Sequence, residues 1–213
     1  MGYELDIPDK ILQTPEIGLV EEQLLLKGWR RVDYGFHLGR HTGAIDIHRA
    51  ARRYLIYGSN VEDLANYNLL LDRKIPTLKV VHTPNFKTSN LAVARVPLET
   101  RALDSMTFPD QLPASDYLGS LEMMAAMARF LATLYLRTSR LPRELRLESV
   151  CFVSGKEDLI RMIPPLDLVP RRSWQGLLPQ LQATLGSQDP SHDHKAQIEQ
   201  FERCFIEYLE DNG

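Results

Sequence analysis

The chain has almost no cysteine: two residues, Cys151 and Cys204, in 213. That leaves one disulfide open and excludes a disulfide framework, so any stability must come from a core. Long apolar runs are also missing. The most apolar stretch, Leu121 to Leu136, is broken by Glu122 and Arg129, so no transmembrane segment is expected. The first residues, MGYELDIPDK, are acidic and polar and hold no signal-peptide core. Gly2 follows Met1, but Asp6 stands where a myristoylation pattern needs Ser or Thr. There is no basic excess either. Lys and Arg total 25 against 28 Asp and Glu, a net charge of -3, which argues against nucleic acid or an anionic membrane as partner. Repeats and low-complexity tracts are absent. By default a cytoplasmic, reducing location is expected.

What is there is ordinary for a globular chain: 44% hydrophobic and 25% charged residues, at a length that suits a single domain over 1–213. Glu16 to Leu26 reads as a helix with Val20, Leu24 and Leu25 on one face and Gly28 as its stop. Between Trp29 and Tyr57 the period changes to two. Val32, Tyr34 and Phe36 alternate, followed by 44–48 and 54–57, with Gly35, Gly39, Gly43 and Gly58 between, which predicts three antiparallel strands. Asn60 is placed to cap a helix from Val61 to Arg73, with Leu64, Tyr67, Leu70 and Leu71 inward and Pro76 beyond its end. A strand pair at 78–81 and 91–94 follows. The proline-bearing stretch from Pro97 to Ser120 reads as a connector.

The second half turns helical. Leu121, Met124, Met127, Ala128, Leu131, Leu134 and Tyr135 recur at three and four. A small hairpin is predicted from 150–153 and 159–163, then a helix over 177–185. A last amphipathic helix carries Ile198, Phe201, Phe205, Tyr208 and Leu209. Strands grouped early and helices late predict an α+β fold.

This order resembles the protein-kinase-like fold: a small β-rich lobe with one helix (about 29–97), then a larger helical lobe (about 98–213). The segment Asn68 to Pro76 is similar to the compact bacterial kinases of the lipopolysaccharide-core and aminoglycoside-phosphotransferase type. The resemblance assigns positions that can be checked one by one. Gly39-Arg40-His41-Thr42-Gly43 matches the phosphate-covering glycine turn, with two glycines instead of three; Gly39 and Gly43 would be the nucleotide-binding positions. An ordinary hairpin turn is the alternative. The strand lysine that holds phosphates would fall near Tyr57, and no Lys is there. Arg53 is the nearest basic residue that could have migrated into the role, although its position at a strand start, beside Arg52, suits solvent. Glu62 or Asp63 would be the helix acid; both also suit a first helical turn on dipole grounds.

Arg143 to Phe152 resembles the catalytic loop. In that register Glu144 takes the base position and Ser149 the position of the metal-binding Asn, where Ser is the poorer Mg²⁺ ligand. The metal-binding Asp of the family falls on Pro164, and Asp167 lies three residues late. Tyr135 stands where a His is common. Phosphoryl transfer needs positioned Lys and Mg²⁺ to neutralise triphosphate charge. The resemblance therefore implies a catalytically impaired kinase-like domain, a pseudokinase, with no cofactor expected. It would bind a protein partner or an anionic small molecule, in a setting linked to bacterial lipopolysaccharide synthesis. The alternatives are an active atypical small-molecule or sugar kinase using ATP and Mg²⁺, with Glu144 as base, Asp167 or Glu148 as metal ligand and Arg53 as the migrated basic residue, and an interaction module on a different fold.

Other clusters have plainer readings. His192-Asp193-His194 lacks an evident third ligand and suits a solvated loop. Cys151 suits a buried strand position. Arg49, Arg52 and Arg53 with His48 suit a strand edge guarded by charge. Arg137, Arg140, Arg143 and Arg146, with Arg171 and Arg172, would form a basic rim on the large lobe.

Overall fold

A computed structural model describes residues 5–14, 16–32, 44–98, 100–102, 121–145, 150–153, 160–164, 166–188, 190–191 and 193–213. The chain opens with α1 (Asp9–Leu12) and α2 (Ile17–Leu26). α2 stops at Gly28, whose φ of 80° lets the backbone turn left-handed, and Trp29 N returns to Leu24 O at 3.1 Å. Val20 and Leu24 are buried as expected; Leu25 faces out.

β1 (Arg30–Arg31), β2 (Ala44–Arg49), β3 (Arg52–Gly58), β4 (Lys79–His82) and β5 (Leu91–Arg95) form one antiparallel sheet in the order β1-β2-β3-β5-β4. α3 (Val61–Asp72) is inserted between β3 and β4, and Asn60 caps it by accepting from Asp63 N at 2.9 Å. Tyr34 and Phe36 lie outside the described residues. Alternation gives the sheet two apolar faces. Tyr54, Ile56, Ile47, Leu91 and Val93 pack against α1, α2 and Trp29. Leu55, Tyr57, Ala92 and Ala94 pack the other way, against Leu78, Val96, Cys151 and Ile163.

The second half contains β6 (Thr100–Ala102), α4 (Leu121–Thr138), β7 (Arg140–Pro142), β8 (Val150–Val153), β9 (Ile160–Met162), β10 (Leu168–Pro170), α5 (Leu177–Gln188) and α6 (Lys195–Asn212). The predicted helices are all present, and Met124, Met127, Ala128, Leu131 and Leu134 of α4 are buried against Phe201 and Phe205 of α6. Trp174 stacks on Phe205 with ring centroids 4.6 Å apart. Leu121 is exposed, at the helix start. Three strands went unread in the sequence. β6 begins within the expected connector and joins β8 and β9 in a three-stranded sheet, while β7 and β10 pair with each other. Each has three residues, too few to show a period.

The halves meet through backbone. Leu78 N donates to Met162 O (3.1 Å), Met162 N donates to Pro76 O (3.1 Å), and Thr77 bridges Met162 in parallel. Among the described residues no helix is long and apolar enough to cross a membrane.

Candidate functional site

The buried stripe of α3 is Asp63, Asn66, Tyr67 and Leu70, a clean i, i+3, i+4, i+7 set. The expected stripe had Leu64 and Leu71 inward and treated Asp63 as a dipole acid. Instead Leu71 is 51% exposed and Asp63 only 3%. The helix is rotated because its polar residues have specific partners in the large lobe. Leu166 N donates to Asp63 Oδ1 at 2.5 Å, and Ser59 Oγ donates to Asp63 Oδ2. Asn66 Nδ2 donates to Leu166 O (2.7 Å) and reaches Leu168 O (3.4 Å), while its Oδ1 accepts from Arg140 Nη1 (2.9 Å). Further along, Tyr67 Oη accepts from Val80 N at 3.0 Å. These bonds form a latch between α3 and the segment after β9. Burial pushes the Asp63 carboxyl up from the ordinary carboxylate range, with the Ser59 and Leu166 bonds opposing it.

Tyr57 ends the inward-facing row of β3. It is fully buried, and its hydroxyl has no hydrogen-bond partner among the described residues. Burial first, then the nearby Asp63 carboxylate and Tyr67, hold its phenolic proton far above the ordinary range. The position where the resemblance would place a lysine thus carries a neutral phenol, and Asp63 nearby is turned to a backbone amide.

Arg53 lies on the same face, two residues before Leu55. It is buried, donating from Nε to Asp46 Oδ1 (3.0 Å) and from Nη2 to Asp46 Oδ2 (2.7 Å). The expectation of a solvated Arg53 is corrected by this bidentate partner, which makes burial of the guanidinium tolerable. Arg52 does remain half exposed, and with Arg49 it pairs with Asp6, at 2.8 and 3.2 Å. Arg49 also lies over the Trp29 ring at 5.0 Å. The supposed charged edge is therefore closed by the N-terminal segment and by β1.

Glu144 is exposed, in the turn after β7. Asp167 is exposed just before β10, and Arg143 holds it: Arg143 N donates to Asp167 O (2.9 Å), and Arg143 Nε donates to Oδ1 and Oδ2 (3.0 and 3.1 Å). Glu144 and Asp167 are thus brought onto adjoining turns. Pro164 is buried directly after β9. Gly39, Gly43 and Ser149 lie outside the described residues, as do Arg146 and His192.

The expected basic rim is largely engaged with carbonyl groups. Arg137 Nη1 donates to Arg73 O and Lys74 O, and Arg171 Nη2 donates to Arg143 O. Tyr135, in the place of the common His, donates to Arg172 O at 3.1 Å. Cys151 is wholly buried between the lobes, and burial pushes its thiol up to about 12, which suits packing and not nucleophilic attack. Among the described residues no group of three His, Cys, Asp or Glu is placed to hold a metal. Of the latch residues, Ser59 and Asn66 were not singled out in the sequence, and Arg140 was expected in the basic rim, not in a bond to Asn66. Their one signal was that Asp63, Asn66 and Leu70 share a helix face.

No family model matches the sequence, and no curated protein does. Solved structures do match by shape. One is WaaP in complex with acyl carrier protein, with TM-score 0.50 and 13% identity over 78% of this chain and 75% of that one. Another is the bifunctional kinase-methyltransferase WbdD, with TM-score 0.51 and 13% identity over 83% of this chain and 46% of that one. This chain has the protein-kinase-like fold. The kinase-like fold replaces the alternative of an interaction module built on another architecture. The β1-β2-β3-β5-β4 sheet with α3 is its small lobe, and α4, the β8–β9 hairpin and the later helices are its large lobe.

Proposed function

We propose that this kinase-like chain is catalytically impaired and works by binding a protein partner or an anionic ligand, in the setting of bacterial cell-envelope lipopolysaccharide synthesis. The observation that carries the reading is the pairing at Tyr57 and Asp63. A phosphate-holding Lys would have to displace a buried phenol, and the acid that would orient it is already bonded to Leu166 N and Ser59. Pro164, with no carboxylate and no amide hydrogen, adds to this at the position of the metal-binding Asp. The envelope setting is the one that the resemblance of Asn68 to Pro76 to the lipopolysaccharide-core kinases implies. WaaP was solved bound to acyl carrier protein, which supports looking first for a protein partner.

The test is a thermal melt of the full chain with and without Mg-ATP, together with an ATP turnover assay. No shift and no turnover are expected. A shift of several degrees with turnover lost on Glu144→Ala would remove the reading.

One observation favours a second reading, an active atypical small-molecule or sugar kinase. The Arg143 N to Asp167 O bond puts Glu144 and Asp167, an acid for proton abstraction and an acid for metal, on adjoining turns. Transfer of labelled phosphate to a cellular extract, abolished by Asp167→Asn, is the result that reading requires.

A further inference from the structure

Arg161 sits on β9 directly opposite Cys151 on β8. Its strand neighbours Ile160 and Met162 point into the large-lobe core. Alternation turns Arg161 to the other face of the hairpin, the one shared by Cys151 and Ile163, which pack against Leu55, Ala94 and Val96 of the small lobe. Arg53 approaches the same place from β3: both guanidinium groups act on the Cys151 thiol, each favouring its thiolate. Arg161 is therefore an interlobe residue.

The two arginines differ in one respect. Arg53 has Asp46. Arg161 is half-buried, makes no ion pair among the described residues, and its Nε is buried without a hydrogen-bond partner. A guanidinium cannot escape by losing its proton. An unpaired buried donor on a permanent charge is among the groups proteins seldom leave unanswered. The side chain as a whole is part-exposed while Nε is buried, so an anion from solvent meets the guanidinium at its exposed part.

We propose that Arg161 anchors an oxyanion site between the lobes, with the field of Arg53 behind it, and that its ligand is the phosphate group of a small phosphorylated molecule. The guanidinium fork matches two oxygens of a tetrahedral anion. The inference deepens the binding reading above and rests on it in one respect: the space must not already be the seat of a metal-nucleotide.

The experiment is a titration of the full chain with inorganic phosphate at constant ionic strength set with chloride, read by calorimetry and thermal melting. Saturable one-to-one binding is expected, weakened about tenfold or more by Arg161→Gln and unchanged by Arg172→Gln, an exposed arginine of the same lobe. Arg161→Lys, which keeps the charge and loses the fork, should fall between, and it carries the comparison if the Gln variant does not fold. Absence of saturable binding would overturn the site, as would equal affinity in the Arg161 variants or an equal loss in Arg172→Gln. A parallel Mg-ATP arm separates the two ideas. ATP turnover would sink the impaired-kinase reading, whereas the phosphate titrations of the full chain and its variants decide the anion site.

Discussion

The carboxylate of Asp63 receives the amide of Leu166, 103 residues further along the chain, at 2.5 Å. This buried helix acid is a fastener between the two halves. Asp63→Ala should cost about 2–3 kcal/mol, since it strands a buried amide and a buried hydroxyl, and Asp63→Asn should cost less because one acceptor is kept. Urea unfolding of the three proteins gives the comparison, and equal stability of all three would remove the fastener.

The same carboxyl fixes a pH dependence. Its folded pKa is raised above the ordinary 3.8 by burial. The folded state then holds the proton more tightly than the unfolded state, so this group's contribution is full below that value and is lost as pH rises through the folded pKa. The stability of the natural chain relative to Asp63→Asn should therefore fall as the solution is taken from acid toward neutral. A flat difference across that range, measured by denaturant unfolding at a series of pH values, contradicts the assignment.

Asp46 and Arg53 are a buried pair, and buried pairs are costly to break and cheap to replace. Asp46→Asn should destabilise by about 3 kcal/mol or more, because Arg53 is left charged and short of its counter-ion. The double change Asp46→Leu with Arg53→Met should recover most of that loss. Additive losses in the cycle would show that the two residues do not act together.

Tyr57→Phe removes a hydroxyl with no partner among the described residues. Stability should stay level or rise by up to about 1 kcal/mol, against the usual direction for a core substitution. A marked drop in Tm would mean that the hydroxyl is bonded in solution.

Cys151 and Cys204 are both free and buried. Neither should react with a thiol reagent in the native chain at neutral pH, and both should react in denaturant. Fast native labelling of Cys151 would reveal an open interlobe face.

The outline of the fold was readable because it rests on long periods. Val61 to Asp72 with its Asn60 cap, the α4 stripe and the β8–β9 hairpin all carry enough residues to show a spacing. The strand that carries Tyr57 was also readable, from the alternation of 54–57. What could not be read was the turn of α3. Tyr67 and Leu70 were read inward and are, but Leu71 beside them is exposed and Asp63 and Asn66 are buried, a choice made by carbonyls and amides at 166–168 that no local pattern announces. Arg53 was misread for a similar reason: its partner Asp46 lies across a hairpin, and a charged residue alone looks like surface.

β6 ties the lobes in a way that bears on how the chain could be divided. Residues 100–102 follow closely on β5 of the small lobe, and they supply one edge of the large lobe's β6-β8-β9 sheet. A chain severed between Ala102 and Leu121 would leave that strand on the N-terminal fragment, together with the Leu78, Pro76 and Thr77 ties to Met162. The two pieces would then hold each other's missing edge, so the covalent joint between the lobes is dispensable in a way that the hydrogen-bonded one is not, and co-expressed halves should reassemble as a split protein.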